Sequence, residues 1–131
     1  MVIAVSKSII PAAFAALLIS CAGQNKPSAH ADTALVEERL LTKYAISQCI
    51  ARGYPTETIA TDANAAAGGY LEHGNLEVDA YGEAVALAER ALARVYKGQH
   101  GESLNVMKCL DLLGSRDLEQ LTQRHLQGDS H

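Results

Sequence analysis

Two cysteines, Cys49 and Cys109, stand sixty positions apart in a stretch, 33–127, whose apolar residues repeat at helical spacing throughout. If they are bridged, their Cα atoms lie about 6 Å apart. The start of that stretch is then pinned to its end, which leaves few ways to arrange what lies between. Whether they bridge depends on the compartment, since disulfides persist in oxidising surroundings and are rare in the cytosol. The N-terminus therefore carries part of the argument about the fold.

Met1 to Ser20 reads as a secretory signal, with Lys7 as its positive region and Ile9 to Ile19 as a short apolar run. That run is too short for a membrane helix, which needs roughly 20 residues, and Pro11 interrupts it. Leu18-Ile19-Ser20-Cys21 has the form of a lipobox, in which cleavage before Cys21 leaves its thiol for acylation. Ala29-His30-Ala31 offers a second route, ordinary cleavage after Ala31. The expected organisation is a signal peptide over 1–20, a polar tether over 21–32, a helical domain over 33–127 and a frayed tail over 128–131. The destination is the periplasm, with a lipid anchor at Cys21 if the lipobox is used. Cys49 and Cys109 are then the pair left in the folded domain, and a disulfide is expected between them. Closing so long a loop contributes roughly 4 kcal/mol. The alternative is two separate buried thiols.

The charge balance restricts the partners. Every one of the fifteen acidic residues lies at or after Asp32, while Lys7 and Lys26 precede it, so the formal charge moves from −4 to −6 in the exported part. Nucleic acid is excluded as a partner, because neutralising phosphates takes clustered Lys and Arg. An acidic domain suits a basic protein surface instead. There is no Trp, Phe14 lies in the leader, and Tyr44, Tyr54, Tyr70, Tyr81 and Tyr96 are the remaining aromatics.

The spacing predicts an all-α fold, a small compact bundle of four to five helices stapled by one disulfide. A first helix over Thr33 to Arg52 carries Val36, Leu40, Tyr44, Ser47 and Ile50 on one stripe and Leu41, Ala45 and Cys49 on another. Apolar on several sides, it is expected to be central. A second helix runs from Pro55-Thr56 to His73, and its Ala65-Ala66-Ala67-Gly68-Gly69 centre reads as a close-packing surface. A third covers Val78 to Lys97, with Tyr81, Val85, Ala88, Leu92 and Val95 inward. Ser103 caps a short fourth helix, with Val106, Leu110 and Leu113 inward, and Ser115 opens a fifth carrying Leu118, Leu121 and His125 or Leu126.

Chemistry-bearing patterns are missing. His30, His73, His100, His125 and His131 form no pair that one helix face could offer a metal. No C-x-x-C pair or haem motif is present, so neither metal nor cofactor is expected. Cys109 with His125 could make a nucleophile pair, but only as a free thiol. The glycines of the second helix lack the Lys-Ser/Thr and the preceding strand of a phosphate loop. The reading is of a binding protein and not an enzyme.

Two segments carry a resemblance. Around the first cysteine the chain reads Tyr44-Ala-Ile-Ser-Gln-Cys49-Ile-Ala-Arg-Gly-Tyr54. Around the second it reads Val106-Met-Lys-Cys109-Leu-Asp-Leu-Leu113-Gly-Ser115-Arg-Asp-Leu118-Glu-Gln-Leu121. This pairing resembles the type VI secretion amidase immunity proteins, over about Leu35 to Leu126. The resemblance implies a periplasmic homodimer that binds a cognate peptidoglycan amidase, a papain-like cysteine peptidase, and covers its cleft with a projecting loop and a helix. Under that reading the loop from Lys97 to Glu102 offers Gln99, His100 and Glu102 to the toxin, and the Glu72 to Asp79 connection, with Asn75 and Glu77, is the rival. Cys49 and Cys109 would be structural. An envelope lipoprotein that acts as an adaptor or scaffold, with no toxin, fits the same composition.

Overall fold

The computed structural model describes residues 29–128, which form five helices: α1 (Ala29–Gly53), α2 (Thr58–His73), α3 (Val78–Leu92), α4 (Asn105–Leu113) and α5 (Arg116–Gly128). Among the described residues there is no strand, so the fold is all-α as the spacing predicts. The leader, Cys21 and most of the expected tether lie outside the described residues, as do the last three positions. None of the described helices is long and apolar enough to cross a membrane.

α1 touches all four other helices, which is why it is apolar on more than one side. Leu41, Ala45 and Cys49 are fully buried on it, facing Ala80, Tyr81, Ala84, Leu87, Ala88 and Ala91 of α3. The alanine-rich face of α3 lets the two helices approach closely, and the aromatic bulk comes from Tyr44 and Tyr81, edge to face at 5.1 Å. Leu112 of α4 and Leu118 and Leu121 of α5 close the core. The Cys49–Cys109 disulfide joins α1 to α4, with Cα atoms 5.7 Å apart and both cysteines buried.

Several expectations need correction. α1 begins at Ala29, four residues before the expected Thr33, and the Thr33 hydroxyl donates back to the Ala29 carbonyl. The end of the expected tether is thus helical, in keeping with the helix propensity of Ala29 and Ala31. Val36 is 50% exposed while its neighbour Glu37 is buried, because the Glu37 carboxylate finds donors on Asn75. α2 starts at Thr58, after a turn over Tyr54 to Glu57 in which the Glu57 amide donates to the Tyr54 carbonyl. The Gly68-Gly69 pair does not serve close packing: a side chain at either would meet nothing within 4 Å among the described residues.

α3 stops at Leu92, five residues short of Lys97, and Val95 is 83% exposed. The reason is Lys108, whose Nζ donates to the Leu92 carbonyl at 2.8 Å, an acceptor that a continuing helix would give to its own backbone. On α4 the inward face is the reverse of that expected. Lys108, Cys109 and Leu112 are buried, while Val106, Leu110 and Leu113 are 55%, 58% and 52% exposed. α5 keeps the expected face, with Leu118 and Leu121 buried and His125 and Leu126 half-buried, and its first turn is capped by the Ser115 hydroxyl accepting from the Leu118 amide.

Candidate functional site

The connection from Ala93 to Leu104 is the long irregular segment among the described residues, and its shape is set by its own backbone. The Gly98 amide donates to the Glu102 carbonyl at 3.0 Å, and the Gly101 amide donates to the Gly98 carbonyl at 3.1 Å. These bonds make a tight turn with Gln99 and His100 at its tip, both exposed. Gly101 has φ +88°, which a side chain rarely adopts. At Gly98 the carboxylate of Glu102 lies where a Cβ would stand, so a side chain there would displace it. That carboxylate accepts the His100 amide at 3.1 Å, so Glu102 braces the turn from within.

The base of the loop is tied down on both sides. Tyr96 donates its hydroxyl to Asp111 on α4 at 2.6 Å. Lys108 holds the last carbonyl of α3, and Asn105 Nδ2 donates to the Gly53 carbonyl at the end of α1 at 2.8 Å. Leu104, with φ 50°, turns the chain into α4. A pre-shaped projection of this kind loses little conformational entropy on binding, which is what a plug for a cleft requires.

The rival connection lies at the other end of α3. Asn75 and Glu77 are exposed, but Asn75 is engaged: its backbone amide and Nδ2 both donate to Glu37, at 2.9 Å each. Glu77 is the residue before α3 and makes no side-chain cap. The length of α3, about 22 Å at 1.5 Å per residue, separates Asn75 and Glu77 from Gln99, His100 and Glu102. The structure does not bring the two sets together in one chain.

On the outer side of α3 and α5, Glu83 accepts from Arg124 at 2.7 Å and lies 3.1 Å from His125 Nε2. The Arg124 hydrogen bond, and then that of His125, hold the Glu83 carboxyl below its ordinary range. Among the described residues no group of three or more His, Cys, Asp or Glu is placed to hold a metal. Cys109 is oxidised, so the Cys109–His125 nucleophile pair does not arise.

Sequence reasoning missed the exposed apolar face of α4, Val106, Met107, Leu110 and Leu113, each at least half exposed. It adjoins a groove of about 250 Å³ lined by Thr42, Lys43, Ile46, Ser47, Tyr70 and Leu113. The signal was present as an apolar stripe, but the pattern alone reads such a stripe as core.

Comparison with known proteins agrees with this architecture. The family described as type VI secretion system (T6SS), amidase immunity protein (Tai4) matches residues 39–122. No curated protein matches the chain. Among solved structures, a chain in the effector–immunity system Tae4/Tai4 from Salmonella typhimurium (selenomethionine variant) is 34% identical, with a TM-score of 0.63. The match covers 67% of this chain and 87% of that one. The family match takes in both cysteines, all of α2, α3 and α4 and the loop between α3 and α4. These findings decide for an inhibitor over an adaptor or an enzyme: the chain belongs to the type VI secretion system amidase immunity protein family.

Proposed function

We propose that this protein protects its cell by binding a peptidoglycan amidase in the periplasm and filling the catalytic cleft with the turn from Gly98 to Gly101. The observation that carries this reading is the loop itself. It presents Gln99 and His100 at an exposed tip, braced internally by Glu102 and fixed at its base by Tyr96, Asn105 and Lys108. An obstruction needs shape complementarity and exclusion of substrate, not a reactive group. Gln99 and His100 supply donors and acceptors for a Cys-His site. Glu102 contributes through the backbone that it holds. The acidic charge of the domain favours encounter with a basic cleft.

The protein acts as a homodimer in this reading. The apolar face of α4 and its adjoining groove support a contact between copies, since exposed patches of this kind mark protein interfaces. Export through residues 1–20 and a lipid anchor at Cys21 complete the proposal. The test is titration of the protein into an amidase encoded beside its gene, with stem-peptide cleavage as the readout. Loss of cleavage at one equivalent is the expected result, and unchanged cleavage with no complex would remove the reading.

A further inference from the structure

The contacts that fix the base of the loop come from α4, and within its own chain α4 has little to hold it in place. It is nine residues long, below the roughly 12–15 that an isolated helix needs to be even marginally stable. It has no side-chain cap at its start, where Leu104 is left-handed. Its inward side chains are Lys108, Cys109 and Leu112, and its other large apolar residues, Val106, Met107, Leu110 and Leu113, are turned away from the core of their own chain. One of the three inward residues is therefore the disulfide partner of Cys49 on α1. From this same helix Asn105 reaches the end of α1, Lys108 reaches the end of α3, and Asp111 receives Tyr96 of the loop.

We propose that α4 is the positioning element of the 93–104 loop and that the Cys49–Cys109 bond is the lock that seats it, so that the loop holds its position only in the oxidised protein. Closing the lock removes two protons and two electrons from the Cys49 and Cys109 thiols. The electrons pass to a disulfide of a thiol–disulfide oxidoreductase or a small disulfide, which leaves as two thiols. In a reducing cytosol α4 is unseated and Asn105, Lys108 and Asp111 lose their partners. α1, α2 and α3 stay packed, because their contacts are buried and do not pass through α4. The inhibitor is thus armed by the compartment in which it is needed. Only this last step rests on the inhibitory reading, since the coupling of disulfide to loop is independent of any toxin.

Backbone hydrogen exchange on the protein purified with its disulfide closed, before and after dithiothreitol, tests the coupling. Reduction is expected to speed exchange of amides in 93–113 by at least about ten-fold while those of α1 and α3 near Leu41, Ala45, Ala84 and Ala88 keep their protection. Protection of 93–113 that is unchanged on reduction overturns the proposal, and so does protection lost uniformly from all helices, which would make the bond a general staple. Tyr96→Phe in the oxidised protein isolates the positioning contact. It is expected to loosen the loop amides with no shift in the unfolding midpoint, and an unaltered loop would remove Asp111 from the positioning set. In a second arm, the reduced protein is expected to inhibit a cognate amidase at least about ten-fold less well and to recover on reoxidation. Full inhibition by the reduced form with a loosened loop would refute the arming step while leaving the coupling intact.

Discussion

Glu37 and Asn75 are joined twice, the carboxylate of one accepting both the backbone amide and the side-chain amide of the other at 2.9 Å. The pair ties the turn between α2 and α3 to α1 across thirty-eight positions of sequence, and it is what draws a carboxylate into a buried place on α1. Glu37→Ala removes the acceptor from two donors. The expected loss is about 1–2 kcal/mol, read from the urea midpoint, because Asn75 is exposed enough to rebind water. No change in the midpoint would show that the turn is held by packing alone.

Gly74, in the same turn, sits against the Tyr81 hydroxyl so closely that a Cβ would overlap it. That hydroxyl is buried, has no hydrogen-bond partner among the described residues, and is raised above the ordinary phenol range by burial and then by the Glu37 charge. Gly74→Ala is expected to cost about 1–3 kcal/mol from overpacking. Tyr81→Phe alone, removing an unsatisfied polar atom, is expected to be neutral or stabilising. The double variant should lose less than the sum of the single ones. Strict additivity in thermal unfolding would contradict the contact.

The helices were readable from sequence because their apolar spacing reflects packing around α1, and the disulfide because Cys49 and Cys109 are the two cysteines within the helical stretch. What escaped was decided by contacts distant in sequence. Lys108 ends α3 from sixteen positions away, and no local pattern marks a lysine as an inward residue. Val106, Leu110 and Leu113 make a better apolar stripe than Lys108, Cys109 and Leu112, so periodicity chose the wrong face of α4. The exposed turn that carries Gln99 and His100 was legible through its flanking glycines. The bracing by Glu102 was not, since a carboxylate turned onto its own loop looks in sequence like any solvated acid.

The ion pair on the outer side of α3 gives a pH dependence. Glu83 has a folded pKa below its ordinary 4.5, through Arg124 first and His125 second. Its stabilisation is complete above the unfolded value and is lost as pH falls through the lower folded one. Glu83 is nearly half exposed, so the effect is held to about 1 kcal/mol or less by solvent screening. Thermal melts below pH 4.5 are expected to fall more steeply for the wild type than for Glu83→Gln. Parallel curves would show that the contact with Arg124 adds nothing to stability.

The apolar face of α4 makes a separate prediction about assembly. Leu110 is 58% exposed in the middle of that face. Leu110→Glu sets a charge where two copies would meet and leaves the inward Cys109 and Leu112 untouched. In sedimentation, the wild type is expected as a dimer and the variant as a monomer, with the unfolding midpoint of the isolated chain within about 0.5 kcal/mol. A dimer that survives the change would move the contact to another surface.

The tip of the loop is where inhibition and stability should separate. Gln99 and His100 are exposed and among the described residues no side-chain hydrogen bond ties either down, while the turn is held by the Gly98, Gly101 and Glu102 backbone and the Glu102 carboxylate. Gln99→Ala with His100→Ala is therefore expected to leave the melting temperature unchanged and to raise the inhibition constant against a cognate amidase by at least about ten-fold, about 1.4 kcal/mol. Glu102→Ala reaches the same outcome by another route, loosening the turn while its tip residues stay in place. It should weaken inhibition chiefly through slower association, since the loop must then be ordered during encounter. The pair Asn75→Ala and Glu77→Ala serves as the comparison, because it lies at the far end of α3 and should leave a single copy's plug intact. If that pair abolishes inhibition and the tip pair does not, the inhibitory surface belongs to the turn between α2 and α3.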